Sequence, residues 1–562
     1  MLCEISSPYV SNPKATSCLD TAYGLFEKSR DSMERREGAI QADMNRFWLK
    51  KTDAAKISDK ELAMFLTSMV YCSVKKMRMP QKFRGGKRMQ YARKQYLDQL
   101  IRKKDNGRIK IVTGLRRSGK SYLLFTLYRR YLLDSGIAED QIVGLALDEI
   151  DNAKYRNPFE LNKVIKERMP DKKKRYYVFI DEIQFVTEIQ NPYVEDPNEK
   201  LTFIDVVLGL MKIPNADIYV TGSNSKMLSS DILTQFRDRG DEIRVNPLSF
   251  AEVYEHYEGD KRNAWRDYYT YGGMPLVWSM ETHEERSRYL RDLFNRTYIK
   301  DVLERHQVKN DAEVLEILLN VLASGIGSLT NPSRLSNTFE SERQIRIAPD
   351  TIDTYIGYFL EAFLIQKAER YDVKGRKYIK TPVKYYYSDV GLRNARLGFR
   401  QLEETHLMEN VLYSDLVRRG FDVDVGVVVQ NVRDESGKNI RRQLEVDFVV
   451  NRGDERYYIQ SALSIADPEK KEQEIASLIR IPDSFRKIVV VKDYMKPWKD
   501  ENGIQYIGIE DFLLDESLIA RYSIREKNAD CRRKIRQTLP VKKPAGYFIA
   551  QYRWIIPAHH RF

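Results

Sequence analysis

Eight residues constrain this chain more than any other stretch. Gly114-Leu-Arg-Arg-Ser-Gly119-Lys120-Ser121 fits G-x-x-x-x-G-K-[ST], with a strand-like run, Ile109 to Val112, before it and a helical pattern, Ser121 to Leu132, after it. Strand, loop and helix in that order are the context that gives the spacing its meaning. Glycines let backbone N–H groups turn inward around phosphate oxygens, and the helix behind them adds partial positive charge. Lys120 supplies a point charge for the outer phosphates, and the Ser121 hydroxyl can ligate Mg²⁺. The phosphate-binding set is read as Gly114, Leu115, Arg116, Arg117, Ser118, Gly119, Lys120, Ser121 and Tyr122.

At 562 residues the chain is too long for one ordinary domain, and three or four are expected. A hydrophobic share of 42% and a charged share of 31% describe a soluble globular protein. No run approaches a membrane span, and the N-terminus lacks a signal-peptide core, so a cytoplasmic chain with no membrane role is expected. Cys3, Cys18, Cys72 and Cys531 suit neither a metal site nor a disulfide framework, which fits a reducing compartment. Charge is unevenly spread. Ser73 to Lys110 carries 14 Lys/Arg against 2 Asp/Glu, and Arg521 to Phe562 carries 11 against 2. Those flanks hold +12 and +9 of a total of +13, so the rest is acidic at −8. Such flanks suggest a polyanion partner, or else two solvated arms.

Beyond the loop, Gln141 to Leu147 reads as a buried strand ending in Asp148-Glu149, and Phe159 to Arg168 as an amphipathic helix. Tyr176-Tyr-Val-Phe-Ile-Asp181-Glu182 is five apolar residues ending in two carboxylates, and it resembles Walker B. A strand buried on both faces explains the unbroken run. Its end would deliver Asp181 to the Mg²⁺ shell and Glu182 to an attacking water. Ile218 to Thr221 is a further strand, followed by Gly222-Ser223-Asn224-Ser225, where Ser223 or Asn224 is placed to sense a γ-phosphate and an ordinary polar turn is the alternative. Arg237 or Arg239 is a candidate arginine finger, in cis or on a neighbouring subunit, with pairing to nearby carboxylates as the alternative.

GLRRSGKS, FIDEIQ, TGSNS, the FRDRGDEIRVNPLSF box and YYTYGGMPL (residues 268–276) together resemble a group of prokaryotic AAA-type ATPases. Asp238 departs from the pattern, since a glycine is usual there. The resemblance covers about residues 91–515. It implies an α/β fold: an AAA-type P-loop ATPase core (91–250), a helical lid (251–306), a winged helix (307–400) and an α+β restriction-endonuclease-like domain of unknown function (401–520). An N-terminal extension (1–90) and a basic tail (521–562) lie outside it. ATP with Mg²⁺ is the cofactor it implies.

In the winged-helix segment, Ile352, Tyr355, Ile356, Phe359, Leu360 and Phe363 repeat at helical spacing, with Asp350 as expected N-cap. The outer face offers Asp353, Thr354 and Glu361 and no Lys or Arg, so packing is favoured over base reading. Lys374, Arg376, Lys377 and Lys380 in the following hairpin can still touch phosphates. In the nuclease-like segment Glu409 and Asp447 occupy the helix and strand positions of a metal core, but the expected E-x-K tripeptide reads Gln460-Ser461-Ala462. Loss of an acid and an amine predicts a degenerate site. The expectation is a Mg²⁺-dependent ATPase acting at DNA. The alternatives are a slow nucleotide-controlled switch bound to a protein partner and, third, an ATP-regulated nuclease. Homo-oligomers are compatible with each.

Overall fold

The computed structural model describes residues 90–519, apart from 197, 223–238, 307, 309–311 and 434–438. The readings on the N-terminal extension, the basic tail, Ser223, Asn224, Arg237 and Asp238 lie outside these residues.

The strand before the phosphate loop, β1 (Ile109–Thr113), is buried along its whole length. It is followed by β2 (Ile142–Ala146), β3 (Tyr176–Asp181), a short antiparallel ribbon of β4 (Ile189–Gln190) and β5 (Lys200–Leu201), then β6 (Ala216–Thr221) and β7 (Gly240–Arg244). Five of these form one all-parallel sheet in the order β2-β3-β6-β1-β7. Burial on both faces requires apolar side chains at successive positions, hence YYVFI in β3. Parallel pairing also opens the C-terminal ends of β1, β3 and β6 at one edge, where open α/β sheets hold ligands. Lys110 is the exception to the apolar rule. Its ammonium is buried against Asp217 of β6 at 2.5 Å and the Arg108 carbonyl at 2.9 Å.

Helices cover both faces of the sheet. Here α1 (Lys94–Lys103) precedes it, and α2, residues 120–134, follows the loop with its middle, Leu123–Tyr128, wound as a π-helix. Two further helices have side-chain caps: α3 (Pro158–Glu167) by Asn157 and α4 (Phe203–Met211) by Thr202 with Asp205. Arg93, read from sequence among the basic-flank cations, is buried, with its guanidinium on Glu252 at 3.1 Å and on the Asn246 carbonyl.

Beyond the sheet come α5 (Phe250–Glu255), α6 (Ala264–Tyr271) and α7, residues 283–305. Next are α8 (Ala312–Ser324), α9 (Pro332–Arg343) and α10 (Pro349–Glu361). Ile352, Tyr355, Ile356 and Phe359 are the buried face of α10, as their spacing predicts. Asp350 is not its cap. Ala348 holds that position and Pro349 starts the helix, so Asp350 lies in the first turn. A hairpin, β8 (Ile365–Asp372) and β9 (Lys377–Tyr387), follows, then α11 (Val390–Arg396) and α12 (Glu404–Arg418).

The long strands β10 (Asp422–Arg433) and β11 (Asn439–Arg452) continue into β12 (Glu455–Ala462), α13 (Pro468–Ile479), β13 (Arg486–Val491), β14 (Trp498–Lys499), β15 (Gln505–Gly508) and α14 (Ile509–Leu514). The second sheet has eight strands in the order β14-β15-β13-β12-β11-β10-β8-β9. Parallel pairing of β8 with β10 therefore puts the hairpin of segment 307–400 and the strands of segment 401–520 into one sheet. One apolar core runs from α5 through α12 and into this sheet.

The YYTYGGMPL stretch ends α6 at a tight junction. Gly272 has φ 72°, and a Cβ there would strike the Asp389 carboxylate, while one on Gly391 would strike the Tyr271 carbonyl. Asp389 accepts from the backbone N–H of Gly273 at 2.6 Å and of Leu392 at 2.9 Å. Burial pushes its carboxyl up to about 6 against those donors. Because a carbonyl cannot move aside as a side-chain tip can, Gly391→Ala should cost about 3 kcal/mol or more. The denaturant midpoint should fall clearly below that of wild type, and an unchanged midpoint would show that the junction has slack.

Candidate functional site

The phosphate loop turns through three left-handed residues, Gly114 at φ 128°, Arg117 at φ 64° and Gly119 at φ 100°. A Cβ on Gly114 would strike the Val245 carbonyl, so the first glycine is required by the neighbouring chain as well as by the turn. Leu115 is buried in the core that includes Leu248 and Phe250, so only its backbone serves the loop. Ser118 Oγ is buried without a hydrogen-bond partner. Lys120 is 3% exposed and folds back onto its own loop, donating to the Gly114 and Leu115 carbonyls at 3.1 Å each. Burial lowers its pKa, and the charges of Glu182 and Asp181 act in the opposite sense. The structure thus holds the lysine inside its own loop.

At the end of β3, Asp181 accepts a hydrogen bond from the Thr221 hydroxyl, and the Ser121 hydroxyl lies beside it. Burial raises its pKa, those hydroxyls lower it, and the charges of Glu182 and Asp148 raise it further. The loop serine and the first carboxylate are thus brought together although 60 residues separate them in the chain. Glu182 takes a left-handed backbone at φ 50°, and its N–H donates to Thr221 Oγ1 at 3.0 Å. Its carboxylate accepts from Gln184 Nε2. Thr221 therefore orders both members of the acidic pair, one through its proton and the other through its oxygen. Sequence reasoning passed over it in favour of the polar residues that follow, although a hydroxyl ending a buried strand beside β3 was the available signal. With Asp181 as the metal ligand expected from the sequence, Thr221→Val should lower nucleotide turnover by about 10-fold or more while nucleotide affinity changes less, as losses of partners behind a metal ligand do. Steady-state hydrolysis and a separate binding titration would check it, and a wild-type rate would remove Thr221 from the site.

Both loop arginines are held by α7. Arg116 forms a two-oxygen pair with Asp301 at 2.6–2.7 Å, and its carbonyl accepts from Tyr298 OH at 2.7 Å. Arg117 lies beside Tyr289, whose pKa its charge lowers against the larger effect of burial. Tyr122 is half-buried, and its hydroxyl has no hydrogen-bond partner. Arg239 lies elsewhere. It precedes β7, and its carbonyl accepts from Ile109 N–H at the start of β1. A strand of five residues, about 16 Å, separates it from the loop end of the sheet. An arginine finger acting in cis from Arg239 is out of reach for that reason.

A second polar cluster sits in the eight-stranded sheet. Lys384 of β9 is buried between Glu409 at 2.8 Å and Glu445 at 2.7 Å, and Tyr386 OH donates to Glu409 at 2.6 Å. Burial pushes Glu409 up to about 7, against the pull of the Lys384 charge. Asp447 is taken up by Gln460 Nε2 at 3.1 Å and by the Ser461 N–H and hydroxyl at 2.8 Å each. An amine does reach Glu409, then, but from β9 and not from the tripeptide. Among the described residues no group of three or more His, Cys, Asp or Glu side chains is arranged to hold a metal ion.

A family model described as an AAA domain matches residues 106–254, the sheet and loop just described. A protein of Haemophilus influenzae, named only as uncharacterized, is 34% identical over 428 residues, which is 75% of this chain and 98% of the relative. This chain belongs to the same family as that protein and carries an AAA domain. Another relative, the uncharacterized protein MJ1544 of Methanocaldococcus jannaschii, is 25% identical over 65% of this chain and 77% of its own length. A domain of unknown function, DUF8612, matches residues 262–403 of this AAA protein, upstream of the nuclease-like segment where such a domain was expected. Among solved structures, a Walker-type ATPase of Pyrococcus abyssi aligns at 13% identity and TM-score 0.37 over 55% of this chain and 96% of that one. The Aeropyrum pernix ORC1 protein, solved in complex with DNA, aligns at 11% identity and TM-score 0.26 over 56% and 95%. No helix among the described residues is long and apolar enough to cross a membrane.

Proposed function

We propose that this AAA protein binds ATP with Mg²⁺ and hydrolyses it. The observation that carries the reading is the meeting of Ser121 with Asp181 at the sheet edge where Lys120 and Glu182 also lie. The loop N–H groups and Lys120 would hold the phosphates, with the partnerless Ser118 hydroxyl as a further donor. Ser121 and Asp181 would hold the metal ion, which supplies charge against the developing negative oxygens. Glu182 would orient the attacking water. The choice of ATP over GTP rests on the family.

For the work done with that energy, action at DNA is our reading. A slow switch that binds a protein partner is the alternative. Nuclease chemistry is the weakest reading, because Glu409 and Asp447 are already engaged by Lys384, Tyr386, Gln460 and Ser461. ATPase rate measured with and without duplex DNA, beside the solution mass with ATP bound, decides between the first two. Stimulation by DNA supports the first, and an unaltered slow rate supports the switch.

A further inference from the structure

Residues 373–388, VKGRKYIKTPVKYYYS, contain five Lys or Arg and no Asp or Glu. Lys384 is buried with its carboxylates, but Lys374, Arg376, Lys377 and Lys380 are exposed around the β8–β9 turn. Pairing of β8 with β10, Arg370 beside Val425 and Asp372 beside Val427, sets this turn next to the β10–β11 ribbon. There Arg441 and Arg442 are exposed too. Among the described residues none of the six cations forms an ion pair. The sequence between Val432 and Asn439 does not cancel them, since Arg433 and Lys438 match Asp434 and Glu435 in number.

Lysines on an edge strand can serve only to prevent edge-to-edge association. That purpose accounts for Lys377 and Lys380, because β9 is the sheet's last strand. Arg441 and Arg442 lie beyond the stretch of β11 that pairs with β12, where β11 is held by β10 alone, so they too stand on an open ribbon that projects past the rest of the sheet. The faces are informative as well. The adjacent Arg441 and Arg442, in a regular stretch of pairing, project from opposite faces of β11. A ribbon charged on both faces suits a groove with phosphates on each wall better than a flat anionic surface. The B-DNA major groove, about 12 Å wide, admits a two-stranded ribbon, whereas the deep, narrow groove of duplex RNA does not. Meanwhile α10, the element a helix reader would use, exposes Asp350 and Asp353.

We propose that the joined ribbons β8–β9 and β10–β11 form a docking surface for duplex DNA, holding phosphates on both sides of a groove without regard to sequence. This inference rests on the DNA reading above and not on the chemistry of the phosphate loop. The test uses the full chain carrying Lys374→Gln, Arg376→Gln, Lys377→Gln, Arg441→Gln and Arg442→Gln, with ATP binding as the check on folding. Labelled duplex DNA is titrated at several salt concentrations. At roughly 0.9 per phosphate neutralised, the slope of log K against log salt should flatten by about 4 to 5. Lys120→Ala should keep the wild-type slope, which separates this inference from the ATPase reading. A second variant, Arg84→Gln, Lys87→Gln, Arg88→Gln and Lys94→Gln, addresses the basic flank. Flattening in that variant with none in the ribbon variant would overturn the proposal. So would equal affinity of the wild type for duplex RNA, or no DNA binding at low salt.

Discussion

Lys120→Ala should abolish ATP binding while the fold survives. The Lys120 ammonium is almost wholly enclosed and is held by two carbonyls of its own loop, close enough to Asp181 and Glu182 to feel their charge. In an enclosed loop a cation interacts with phosphate far more strongly than it would in water. Charge-assisted hydrogen bonds contribute about 1.5–3 kcal/mol each, so losing two lowers affinity by at least about two orders of magnitude. The Gly114 and Leu115 carbonyls lose a donor, but the space the side chain vacates lets water replace it. The melting temperature should therefore move by only a few degrees. Titration of a fluorescent ATP analogue alongside a thermal melt checks both halves. Near-native affinity in a folded variant would mean that the loop does not hold the phosphates.

Glu182→Gln should separate binding from turnover. This change removes a base and leaves a side chain of the same shape, so hydrolysis should fall about 10²- to 10⁴-fold while ATP affinity stays within a few-fold of wild type. Asp181→Asn should behave differently, because Asp181 meets Ser121 where the metal ion would sit. It should weaken the Mg²⁺-dependent part of binding and leave binding in chelator unchanged. Single-turnover hydrolysis and binding with and without Mg²⁺ distinguish the two variants. Equal turnover in wild type and Glu182→Gln would remove Glu182 from the chemistry.

Local pattern was legible where one short stretch decides its own structure. The glycines of the phosphate loop, the five apolar residues before Asp181 and the helical spacing of Ile352 to Phe359 are each dictated within one element. The parallel sheet and its ligand edge followed from them. The cap of α10 was misplaced because Pro349 sets the first turn and takes the start of the helix from Asp350.

Apart from the meeting of Ser121 with Asp181, which a shared metal ion implies, what stayed hidden was what joins distant residues. Thr221 reaches Asp181 from the adjacent strand β6, Asp301 reaches Arg116 from the end of α7, and Lys384 brings an amine to Glu409 from a strand before the nuclease-like segment begins. A motif spacing measures distance along the chain, and hydrogen bonds and charges act across space. The chain by itself therefore determined that a phosphate loop and an acidic strand end exist. Only the tertiary structure decided what surrounds them: that Lys120 is enclosed, that Arg239 faces the far end of the sheet, and that two segments read as separate domains share eight strands. Burial and strand order depend on how the elements pack together, and no single stretch of sequence contains that.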